Sequence, residues 1–197
     1  MTDSQSRHRR SALITTLLTV VMLLVGWTVK SDIESSTRPF SSQGLQAHVP
    51  EQWLISAPAE NPGTLGEEDL DPTLVLLTWD PLHTDTRYLV RLLPAGAEVE
   101  AASLAAFTNL QRGQSFNTYR VLAQTTVALY GKPAYKVSYA YVLASDPGTK
   151  PVVIEGVDFY LPGSDQTLQL SLESVDSDFA EAYPAFLDFI AGVEVGE

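Results

Sequence analysis

The stretch that most constrains this chain is its apolar run at the amino end, Ser11–Val29, SALITTLLTVVMLLVGWTV. It is uncharged, and as a helix its 19 residues would reach about 28 Å, close to one hydrocarbon core. Arg7, Arg9 and Arg10 precede it and Lys30 follows it. That asymmetry places the amino terminus in the cytoplasm and everything after Lys30 outside. A cleaved signal peptide is the rival reading. The length of the run favours an uncleaved anchor, as does the lack of an A-x-A-like site in Gly26–Val29.

The charge is as lopsided as the hydropathy. The whole chain carries −12, but residues 1–30 hold four basic residues against Asp3, so residues 31–197 carry 8 basic and 23 acidic side chains, or −15. No basic stripe exists to release phosphate counterions, which excludes DNA and RNA as partners. The chain has no cysteine, which removes disulfides, thiolate catalysis and the usual structural zinc sites together. An extracytoplasmic domain of this kind must stand on its core alone, and about 150 residues suffice for one. The composition suits a bacterial envelope protein.

Four segments follow from this pattern: a cytoplasmic basic tail at 1–10, a transmembrane anchor at 11–29, a flexible tether at 30–43 rich in Ser, Thr and charge, and an extracytoplasmic domain at 44–197. Within the domain, Leu45–Val49 alternates and stops at Pro50, as a short edge strand does. Trp53–Ala57 is a second short apolar run, and Pro58–Pro72 reads as a surface loop. Thr73–Trp79 is a buried strand by its continuous apolarity; Thr86–Leu93 alternates Tyr88, Val90 and Leu92 with Arg87 and Arg91. The period then becomes helical over Glu98–Arg112, with Leu104, Phe107 and Leu110 as the expected core stripe and Gly113 as the stop. Four strands follow, Tyr119–Leu129, Ala134–Leu143, Val152–Leu161 and Gln166–Ser174, joined by turns at Tyr130–Pro133 and Pro162–Asp165. Short turns make such strands antiparallel. A helical period closes the chain over Asp176–Val193, with the main helix expected to begin near Pro184. The fold class is α+β: an antiparallel sheet whose apolar face two helices cover, preceded by a single transmembrane helix.

Several features together resemble the PsbP-like family, including its DcrB-like members. They are Val49–Trp53 (VPEQW), the strand Arg87–Leu93 leading through Pro94, Ala95 and Gly96 into the helix that stops at Gly113, the segment Leu129–Val137 (LYGKPAYKV), and Phe186–Ile190 (FLDFI) on the last helix. The resemblance spans about Gly44–Val193. It implies an antiparallel sheet flanked by helices and a non-enzymatic accessory of membrane complexes or of the bacterial envelope. The chain departs from the photosystem members in lacking a transit peptide and in having an anchor, and no binding residue is carried over.

Catalytic and cofactor motifs are absent from the sequence: no G-x-S-x-G, no S-x-x-K opening a helix and no Gly-rich phosphate loop. The densest carboxylate cluster is Glu67, Glu68, Asp69 and Asp71, a weak candidate for a hard cation because it lacks the spacing of a Ca²⁺ loop. A solvated loop is the simpler reading. His48 and His83, the latter beside Asp80 and Asp85, read as surface histidines with too few co-ligands for a metal. Tyr135, Tyr139 and Tyr141 share a strand face and read as core with their hydroxyls at the edge. The expected function is therefore a membrane-anchored, extracytoplasmic accessory or assembly module, held to the bilayer through residues 11–29 and partnered by an integral membrane protein complex. An envelope ligand- or cation-binding domain and a hydrolase with an unrecognised site are the alternatives.

Overall fold

The computed structural model describes residues 16–28, 36–56, 73–83, 85–94, 100–116, 118–143 and 150–195. The chain divides into two units, residues 1–38 and 39–197. In the first, residues 16–28 form a helix, α1, whose side chains are exposed along its length. Among the described residues no helix is long and apolar enough to cross a membrane; α1 covers only part of the expected span 11–29, and the rest lies outside the described residues.

The second unit is built on a seven-stranded antiparallel sheet. Its strands are β3 (Leu54–Ser56), β4 (Leu74–Trp79), β5 (Arg87–Pro94), β6 (Arg120–Leu129), β7 (Lys132–Leu143), β8 (Val152–Pro162) and β9 (Gln166–Val175). They lie in the order β3-β4-β5-β9-β8-β7-β6. The last four strands pair consecutively, and tight turns join β6 to β7 and β8 to β9. The β6–β7 turn has positive φ at both Tyr130 and Gly131, the type I′ geometry whose twist matches the strands it joins. Among the described strands of this sheet, β5 makes the long-range pairing, docking beside β9 with Tyr88 opposite Leu172 and Val90 opposite Leu170. That long-range ladder makes β9 the central strand.

A smaller sheet of β1 (Thr37–Ser42), β2 (Leu45–Pro50) and β10 (Glu194–Val195) runs in the order β1-β2-β10. β1 corrects the expectation of a flexible tether through residue 43. Gln43 and Gly44 both have positive φ and close a type I′ hairpin, while Phe40 packs against the main core. A Ser- and Thr-rich composition without a strong alternating pattern hid a strand that the hairpin and one aromatic suffice to hold.

Strand pleating sends alternate side chains to opposite faces, and here both faces are covered. One face carries Tyr88, Val90, Leu170, Leu172, Val157 and Phe159, packed against Phe186, Phe189 and Ile190 of helix α3 (Asp176–Ala191) and against Leu45, Ala47 and Val49 of β2. The other carries Val137, Tyr139, Tyr141, Ile154 and Tyr160 beneath helix α2 (Ala101–Ser115), which contributes Ala105. The two helices thus sit on opposite faces, where the pattern predicted a shared one.

Both helices depart from their expected registers. α3 runs unbroken through Pro184. Pro184 and Ala180, whose carbonyl loses its i+4 donor, are both exposed, so water can satisfy that carbonyl. In α2 two residues of the expected core stripe face outward, Phe107 and Leu110 at 60% and 61% exposed, while Leu104 is half-buried against the core. Its buried residues are Ala105 and Arg112. At 100° per residue, Ala101, Ala105, Thr108 and Arg112 fall within about 60° of one another. That small-residue stripe lets the helix lie close to the sheet, and Arg112 turns inward to meet charge there.

Candidate functional site

The face of the sheet under α2 holds a buried network of charge. Asp158 on β8 and Glu173 on β9 point to this face because each is an even number of residues from its apolar neighbours on it, Ile154 and Val175. Arg112 reaches down from α2 and donates from both terminal nitrogens to Asp158, 2.5 Å to Oδ2 and 3.3 Å to Oδ1. Its second terminal nitrogen also stands 3.8 Å from Glu173 Oε1. Arg87 on β5 donates its Nε to Glu173 Oε2 at 2.8 Å and a terminal nitrogen to the Tyr141 hydroxyl at 3.2 Å. Tyr139 and Tyr141 each donate to Glu173, at 2.8 and 3.2 Å. Tyr160 donates to Asp158 at 3.1 Å, and the Arg112 guanidinium lies 4.2 Å over the Tyr139 ring.

Tyr139 can cross the sheet because its neighbour on β8 is Gly156. A Cβ there would fall inside the Tyr139 ring. The tyrosines expected to be core are so: Tyr139 and Tyr141 are fully buried, while Tyr135, only half-buried, donates to Gln124 Oε1 at 3.1 Å. Their hydroxyls do more than reach an edge; two of them converge on one carboxylate.

Burial alone would raise the Glu173 carboxyl, but Arg87, Arg112 and the hydrogen bonds it accepts outweigh that and hold it below its ordinary value. Burial opposes charge on Arg112 too, and Asp158 before all others keeps it protonated. Burial pushes the Tyr141 hydroxyl up to about 12. A carboxylate with a depressed folded pKa stabilises the fold above its unfolded value and loses that contribution as pH falls through the folded one. Stability should therefore decline as pH drops below about 4.5, the ordinary glutamate value. Glu173→Gln should flatten that limb in denaturant melts between pH 6 and 3; an unchanged slope would show that Glu173 is not held ionised.

Beside this network, α2 leaves β5 uncovered, and a cavity of about 590 Å³ opens between them. Arg87, Arg91, Arg112 and Glu173 bring its charge, and Gln169 lines it as well. Leu89, Leu104, Phe107 and Phe116 supply apolar wall. With Asp158 paired to Arg112 beneath it, the lining sets three arginines against two carboxylates, a positive excess in a chain whose net charge is −12.

The other residues singled out in the sequence stay apart from this site. Glu67, Glu68, Asp69 and Asp71 lie outside the described residues. His83 is in an exposed turn with its Nδ1 2.9 Å from Asp80 Oδ2, and that hydrogen bond raises its pKa. Asp85 and His48 are exposed. Among the described residues no group of three or more His, Asp or Glu gathers to hold a metal ion. Arg112, Asp158 and Glu173 escaped the sequence reading. Two of them had a signal: Arg112 stands in line with two alanines on a helix, and Asp158 sits among apolar neighbours in its strand, whereas Glu173 shares its face with Gln169 and Ser171 as a solvated residue would.

Among solved structures, the cyanobacterial PsbP (CyanoP) of Synechocystis aligns with a TM-score of 0.59 at 11% identity, over 82% of this chain and 93% of that one. The fold is PsbP-like. LpqN of Mycobacterium tuberculosis, involved in cell envelope biogenesis, aligns at 13% identity over 82% of this chain and 91% of its own, with a TM-score of 0.49. The Saccharomyces cerevisiae Ran-binding protein Mog1p aligns at 12% identity over 81% and 95%, with a TM-score of 0.48. No family model and no curated protein matches the chain. At such identities the likeness carries the fold and no function.

Proposed function

We propose that this chain is a non-catalytic, membrane-anchored module of PsbP-like fold that works by binding, as an extracytoplasmic accessory to a membrane protein complex. The observation that carries this reading is where the charge at the centre of the fold goes. Glu173, Asp158, Arg87 and Arg112 are spent on one another. Chemistry near neutral pH wants an acid or base poised there. Glu173 is instead held ionised between two arginines, and burial drives the surrounding tyrosines to higher pKa. Such a network makes a rigid platform for α2, whose outward apolar residues and adjoining groove are suited to contact.

The apolar run at 11–29 with arginines before it supplies the rest of the reading: single-pass anchorage with the domain outside. Confinement to the bilayer raises the effective concentration of a neighbouring integral protein, so a weak contact becomes well occupied. Residues 31–197 carry −15 and would dock on a basic outer face. In mild detergent the full chain should sediment with a larger membrane complex at low ionic strength. It should partly dissociate as the Debye length falls from about 10 Å at 0.1 M salt to about 3 Å at 1 M. Migration as a lone monomer at every salt concentration would overturn the accessory role.

A further inference from the structure

We propose that the groove between α2 and β5 is a binding site for a small amphipathic organic anion that carries an N–H or O–H donor. The inference deepens the reading of the chain as a binding module and rests on it. The volume, about 590 Å³, falls in the range of small-molecule sites, which pair apolar walls with a few placed polar groups.

Three features define the ligand. The first is sign. Arg87, Arg91 and Arg112 line the groove with Glu173, and Asp158 beneath it pairs with Arg112, so three guanidiniums meet two carboxylates. A guanidinium has five N–H donors, so one already engaged can serve a further acceptor. An anion is thus favoured here although the chain as a whole repels it.

The second is an unanswered acceptor. Gln169 sits at the centre of the sheet, 1% exposed, opposite Arg91 on β5 and Tyr160 on β8. Its Nε2 donates to Ser171 Oγ at 3.3 Å, but its buried Oε1 has no hydrogen-bond partner. A buried carbonyl oxygen left so costs about 1–3 kcal/mol, and a carbonyl can only accept. The ligand must therefore bring a donor to Gln169 while its anionic group meets the neighbouring arginine.

The third is an apolar wall that the protein leaves open. Leu89 and Phe116 line the groove together with Phe107, which is 60% exposed. A ligand ring or branched aliphatic group laid along this wall would cover it. The three features together describe an N-acylated aromatic or aliphatic amino acid, with carboxylate, amide N–H and apolar body.

The test uses N-benzoyl-phenylalanine as the probe, titrated by calorimetry into the full chain in nanodiscs of neutral phosphatidylcholine. Two analogues separate the features: its carboxamide, which lacks the charge, and its N-methyl form, which lacks the donor. The acid should bind, and each analogue should bind about tenfold more weakly. Gln169→Leu should bring the N–H and N-methyl forms to equal affinity. Phe107→Glu, at an exposed helix position that leaves the core untouched, should weaken the acid about tenfold or more. Absence of binding, equal affinity for acid and carboxamide, or binding indifferent to both variants would overturn the site. If the chain sediments with a membrane complex while the probe fails to bind, the site fails and the accessory role stands. If the probe binds at the groove while the chain runs alone at every salt concentration, the accessory role fails and the site stands.

Discussion

Leu170→Asp should abolish folding. Leu170 is 1% exposed at the middle of β9, the fourth of seven strands, with Val90 on one side and Phe159 on the other. Removing the leucine forfeits about 1.5–3 kcal/mol of burial. Placing a carboxylate there adds several kcal/mol more, because the residues paired with it on that face, Val90 and Phe159, are apolar. The sum is comparable with the whole stability of a domain, about 5–15 kcal/mol. A normal cooperative melt for this variant would sink the register of β9, since a one-residue slip would carry residue 170 to the other face.

The second large effect is expected at Arg112. Arg112→Met should cost about 3–5 kcal/mol, because Asp158, 0% exposed, is left as a buried charge without its principal partner. For a chain of this size that is a fall in Tm of roughly 6–20 °C. The sharper result is the double variant. Arg112→Met with Asp158→Asn removes both charges and keeps a polar group beside the Tyr160 hydroxyl, so it should recover most of the loss. A buried ion pair is often no better than a neutral replacement, whereas half of one is far worse. If the single variant melts like the parent, the Arg112–Asp158 contact is not holding α2 to the sheet. If the double variant is no better than the single, the loss comes from packing around Arg112 and not from orphaned charge.

These two positions mark how far the sequence could be read. Leu170 belongs to the part that was legible. Gln166–Ser174 alternates so regularly that strand, register and core face follow from the period alone, and the turns at Tyr130–Gly131 and Pro162–Asp165 follow from Gly and Pro chemistry. The α+β class follows from the succession of such segments. Arg112 belongs to the other part. Gln169, Ser171 and Glu173 alternate with leucines just as a solvated face would. Only the helix seated on them shows that they are interior, at 1%, 0% and 3% exposed.

The local pattern of this chain determined what each segment is: period two makes a strand, period near 3.6 a helix, and Gly at positive φ a turn, because those choices depend on neighbours within a few residues. The tertiary structure alone decided that the second face of the sheet is also inside and which face of α2 turns toward it. β5 reaches β9 across more than seventy residues of chain and delivers Arg87 to Glu173, and α2 turns its alanines and Arg112 inward while Phe107 and Leu110 stay out. Hydropathy predicted the reverse for that helix. A buried arginine is favourable only where two carboxylates already wait for it, and their position is a property of the assembled sheet and of no segment taken alone.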